Sequence, residues 1–173
     1  MAFDSQSMLA TIGALSAIGG ALTAFFPSYW LARIKEKELK QSVATQIYAE
    51  LKAILKTEQH RGYIKDIREI LVAFDNNEIE DYSYKVETGD ERFLIYKSNL
   101  HNLGLLNPKT QGKIVLVYQL MEAVIQDIKP GGILNSDYVG RKPYQELLNI
   151  MIEIKNTVEE ILAEIESVYP DVC

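Results

Sequence analysis

"MLATIGALSAIGGALTAFFPSYWLARIKEKELK", residues 8–40, decides the fold. From Ser5 to Ala32 no side chain is charged. About 20 apolar residues of helix cross the hydrocarbon core of a bilayer, and this run is longer than that. A secretory signal opens on a basic segment. Here the residues before the run carry one charge, Asp4. A buried helix of a water-soluble domain carries a polar stripe, and this run has none. The reading is a transmembrane helix over residues 8–32.

Its flanks set its direction. Arg33, Lys35, Lys37 and Lys40 follow the run, and Phe25, Phe26, Tyr29 and Trp30 form an aromatic belt before them. Basic flanks stay in the cytoplasm and aromatic rings sit at the interface. The expected location is a bacterial inner membrane, with the N-terminus outside and the C-terminal domain cytoplasmic. Pro27 removes one backbone donor near the inner mouth, where a local kink is expected.

The run is sorted by size. On a helical wheel one side collects Gly13, Ser16, Ala17, Gly20, Ala21, Thr23 and Ala24, and the other Ile12, Leu15, Ile18, Leu22 and Phe25. Small residues four apart let two helix backbones approach closely. With one span per chain, the partner is another copy, so a homo-oligomer is expected, with a tetramer favoured. Ser16, Gly20 and Thr23 edge the small face where a pore would lie, without a charged ring to filter ions.

Beyond the run the chain reads as all-α. A helical stalk over residues 33–74 carries Val43, Ile47, Leu51, Ile54 and Leu55, then Tyr63, Ile64, Ile67, Ile70, Leu71 and Phe74, with Gly62 as a break. An acidic loop covers 75–90, in which "YSYKVET" (82–88) alternates like a short strand. A small helical bundle covers 91–169. There "ERFLIYKSNLHNLGLL" (91–106) is a helix capped by Gly104, and Asn107–Pro108 starts the next. "KPGG" (129–132) ends it, and a loop containing Arg141 and Lys142 runs to Pro143.

The last helix repeats Leu147, Met151, Ile154, Val158, Ile161, Ile165 and Val168 at alternating spacings of four and three, a coiled-coil seam. Its six glutamates stand against Lys155 alone, whereas residues 33–65 hold eight Lys or Arg and four Glu. That contrast predicts antiparallel packing of the last helix on the stalk.

Net charge is −6, which implies no generic nucleic-acid affinity, and Cys173 is the single cysteine. His60 and His101 have no ligands at metal spacing, and no phosphate loop or nucleophile set is present. No enzyme, metal or cofactor is expected.

Two elements together resemble a group of small bacterial single-span membrane proteins. His60–Arg61–Gly62–Tyr63 is similar to their "RRGY"-like stalk element. Tyr96, Asn99, Leu103, Gly104, Leu105 and Leu106 match their "Y-x-x-N-x-x-x-L-G-L-L" signature. Some of these proteins are similar in layout to membrane channel effectors of nucleotidyltransferase-linked antiphage systems of the Hailong type. The resemblance implies an ion channel in antiviral defence, a nucleotidyltransferase partner, and control by a nucleotide or single-stranded DNA ligand. Such an anion needs cations away from the membrane. Lys97, His101, Lys109, Lys113, Arg141 and Lys142 are the candidates. The alternative is a non-conducting membrane-anchored scaffold that docks a cytoplasmic partner protein.

Overall fold

A computed structural model describes the backbone of residues 5–83 and 92–170, and side chains from Tyr29 onward within those ranges. The described residues form five α-helices: α1 Ser5–Arg61, α2 Tyr63–Asp75, α3 Leu94–Asn99, α4 Pro108–Ile128 and α5 Arg141–Val168. Short 3-10 turns cover Leu100–Leu105 and Ile133–Asn135. Among the described residues there is no strand, so the all-α reading holds. Most of the alternating "YSYKVET" lies outside the described residues, and its first two, Tyr82 and Ser83, are irregular.

Contacts divide the chain into two units, residues 1–41 and 42–173. In the first, α1 runs unbroken through Pro27. Tyr29, Trp30, Leu31, Ile34 and Leu39 are exposed. The Arg33 guanidinium donates to the Tyr29 hydroxyl one turn back, at 2.7 and 3.0 Å. Among the described residues no helix is long and apolar enough to cross a membrane. The side chains of residues 5–28, including the whole small face from Gly13 to Ala24, lie outside the described set. The transmembrane expectation for residues 8–32 falls mostly on these side chains and so lies outside the described set.

The second unit has two apolar cores. One joins Val43, Ile47 and Leu51 of α1 to Ile114 and Val117 of α4 and to Val158, Ile161 and Ile165 of α5. The other joins Ile64, Ile67 and Leu71 of α2 to Leu134, Val139, Tyr144, Leu147 and Leu148. Helix α5 serves both: its first two turns build the second core and its last three turns the first. Two heptad positions between them, Met151 and Ile154, are only partly buried, and the seam ends at Val168, which is exposed.

Several expectations need correction. Residues 63–74 do not extend the stalk. Gly62 adopts a left-handed φ of +70°, which suits glycine, and α2 turns there to pack on α5. The segment 91–106 is not one helix. α3 lasts six residues and gives way to a 3-10 turn, and Gly104 takes no left-handed cap conformation. Instead the Leu106 amide donates to the Leu103 carbonyl at 3.0 Å, closing the turn. Arg141 and Lys142 are not in a loop but form the first turn of α5. The cap at Asn107 is as read, since its side chain accepts from the Lys109 amide at 2.9 Å with Pro108 at the first helical position.

The last helix does return along α1, within one chain and antiparallel. The Tyr48 hydroxyl donates to Glu166 at 2.5 Å, while residues 53–58 share a cavity with Met151, Ile154 and Val158. The charges work differently from the sequence tally. Two of the α5 carboxylates pair with α4: Lys113 reaches Glu160 and Glu164, and Thr110 donates to Glu164 at 2.8 Å.

Candidate functional site

Between the two cores lies a cavity of about 560 Å³. That is within the range of small-molecule sites, roughly 300–1,000 Å³. Its wall is α1 from Glu50 to Glu58, Tyr63 of α2, Arg92 and Phe93, Met121 to Ile125 of α4, and Met151 to Val158 of α5. It exists because the fringes of the two cores do not meet: Ile54, Phe93 and Ile154 edge one, Val124 and Met151 the other.

Two glutamates on one face of α1 build its rim. Glu50 accepts from the Ile95 amide at 3.1 Å, the Tyr96 amide at 3.0 Å and the Tyr118 hydroxyl at 2.6 Å. It thereby satisfies the open donors at the start of α3, which has no cap of its own. Eight residues on, Glu58 accepts from the Ile64 amide at the start of α2, at 3.4 Å. Burial first, then the Glu50 carboxylate, push the Tyr118 phenol well above its ordinary value, so it remains a donor.

The signature residues complete this corner. Tyr96 stacks on Tyr118 with ring centroids 3.9 Å apart and planes 8° from parallel. Phe93 meets Tyr118 edge-on at 5.2 Å. It holds a left-handed φ of +54°, a strained conformation for a side chain of this size. Asn99, the buried polar residue of this region, donates to Gln46 and to the Ile95 carbonyl, both at 2.9 Å. Leu103 and Leu106 enter the first core. The pattern Tyr96 to Leu106 thus docks α3 on α1.

The six basic residues proposed from sequence do not form one site. Lys97 lies 3.8 Å from Glu122, and Lys113 is held between Glu160 and Glu164. Lys109 lies 4.0 Å from Glu164. Arg141 makes a two-pronged bond to Asp75 at 2.7 and 3.2 Å, and Lys142 faces Glu146 at 3.6 Å. His101 is exposed on the 3-10 turn. Arg141 opens α5, whereas Lys113 meets it at Glu160 and Glu164, about 29–35 Å further along its axis at about 1.5 Å per residue. Among the described residues no three metal-ligating side chains gather.

These pairs make stability depend on acid. The Arg141 guanidinium holds the Asp75 carboxyl below its usual range, and Lys113 with Thr110 does so for Glu164. Burial raises Asp127, with the opposite sign. A lowered carboxylate stabilises the fold above the unfolded value, about 4, and its contribution is lost as pH falls through the lowered one. Melting by circular dichroism between pH 6 and 2.5 should show a falling midpoint below about pH 4. Arg141→Met should remove the Asp75 share of that slope. An unchanged slope would refute the role given to this pair.

The sequence reading missed Glu50, Glu58, Met121 and Met151 as lining residues. Lys155 carried a signal, as the lone lysine between Pro143 and Val168, beside a seam position. No family model matches the chain, and no curated protein or solved structure matches it, so the resemblance rests on the motif residues themselves.

Proposed function

We propose that this chain is a non-enzymatic single-span membrane protein of the bacterial inner membrane. It assembles as a homo-oligomer through Gly13, Ser16, Ala17, Gly20, Ala21, Thr23 and Ala24. Residues 42–170 act as a cytoplasmic ligand-responsive domain, and the assembly is an ion-conducting effector. One observation carries the reading: a single helix, α1, holds both the uncharged run and, from Glu50 to Glu58, a wall of the cavity. A ligand that shifts this wall acts on the helix that carries the span.

A role in antiphage defence with a nucleotidyltransferase partner rests on the resemblance. Control by single-stranded DNA has weaker support, because Lys97, Lys113, Arg141 and Lys142 each face a carboxylate. That observation favours a second reading, the non-conducting scaffold. Ion flux from liposomes separates the two. Gly20→Leu and Ala17→Leu should each abolish the cross-linked oligomer in detergent, because a bulky side chain parts backbones that must nearly touch. Leu22→Ala, on the large side, should leave the oligomer intact. A ladder unchanged in both small-face variants would refute assembly through this face.

A further inference from the structure

We infer that the cavity binds a single-chain amphiphilic anion of the fatty-acid class, its apolar chain between α1, α4 and α5 and its head at Lys155. The chemistry of the lining carries this. Most of the wall is aliphatic, aromatic or thioether. The two lining carboxylates are turned to internal work: Glu50 accepts three hydrogen bonds, and Glu58 accepts from the start of α2. Of the two lining cations, Lys155 is half-buried and forms no ion pair with a carboxylate among the described residues. A half-buried ammonium at the edge of an apolar cavity selects an anionic head over a neutral or cationic one. Met121 and Met151 on facing helices supply a wall that adapts to a flexible chain. A volume of about 560 Å³ suits one chain rather than a two-chain lipid. Binding in this cavity does not depend on the span.

The test is a titration of the full chain, with methionine methyls labelled by carbon-13, in phosphatidylcholine nanodiscs. Of the four methionines, Met121 and Met151 line the cavity. Dodecanoate below its micelle concentration should shift both resonances saturably, and dodecyltrimethylammonium should not. Lys155→Gln should weaken dodecanoate about tenfold, the usual worth of one charge-assisted contact, and leave dodecan-1-ol unchanged. The inference is overturned by no saturable shift, by equal binding of the cationic amphiphile, or by an unchanged dodecanoate affinity in Lys155→Gln. Shifts produced by phosphatidylglycerol nanodiscs alone would instead assign the site to a membrane lipid and overturn the single-chain class.

Discussion

Glu50→Ala should lower the stability of the helical domain by about 3 kcal/mol. The carboxylate accepts from two amides at the start of α3 and from the Tyr118 hydroxyl. Tyr118 is 1 % exposed, so its hydroxyl depends on Glu50 for an acceptor. A buried donor left unpaired costs about 1–3 kcal/mol, and bonds to a charged acceptor contribute about 1.5–3 kcal/mol each, with incomplete additivity. Glu50→Gln keeps one acceptor oxygen and should recover part of the loss. Tyr118→Phe removes the hydroxyl while Glu50 keeps both amides, so it should cost only about 1 kcal/mol. Thermal melts of the two single variants and the double variant measure the coupling. Additive losses in the double variant would show that the two groups do not interact. Glu50→Ala should also release Phe93 from the cavity wall and Tyr96 from its stack on Tyr118, and the Met121 methyl resonance should broaden or move without any ligand.

What the sequence made legible here was periodic. The stripes of α1, α2, α4 and α5 follow from apolar spacing, and Asn107–Pro108 and Gly62 mark breaks because their backbone chemistry is local. The misreadings have equally local causes. α5 begins at Arg141 with Gly140 before it and no side-chain cap, so no Ser, Thr, Asn or Asp marks its start. Pro143 misled as a boundary, although proline is tolerated in a first turn where its missing donor has no partner. Gly104 misled because a 3-10 turn closes that segment without a left-handed residue. The direction of α2 after Gly62 is a tertiary choice that spacing does not encode. The cavity was illegible for a further reason: a heptad marks Met151 and Ile154 as apolar but does not say that the facing surface is absent. The charge tally gave the right packing direction through the wrong pairs, since net charge does not specify which residues meet.

Gly132→Ala should also be strongly destabilising, by about 2–4 kcal/mol, in contrast to Gly112→Ala in the helix before it. An added Cβ at Gly132 would lie 2.6 Å from the Asp127 carbonyl carbon and collide with the carbonyl oxygens of Gln126 and Asp127. None of these atoms can swing away, because they belong to the last turn of α4. The turn is further fixed by the Gly132 amide, which donates to the Lys129 carbonyl at 2.8 Å, and by the positive φ of Gly131. Gly112, inside α4, has nothing within 4 Å of an added Cβ. Gly112→Ala should therefore stabilise, by about 0.5–1 kcal/mol, through helix propensity alone. Thermal melts of the two variants should move in opposite directions, and a neutral Gly132→Ala would refute the close approach. The consequence reaches the cavity through connectivity. The segment from Gly132 to Val139 places Leu134 and Val139 in the second core and delivers α5 to its register on α4. If Gly132→Ala shifts that register, Met151 and Lys155 move together relative to Met121 and Val124. Binding of dodecanoate should then weaken in a variant whose substituted residue lies outside the cavity wall.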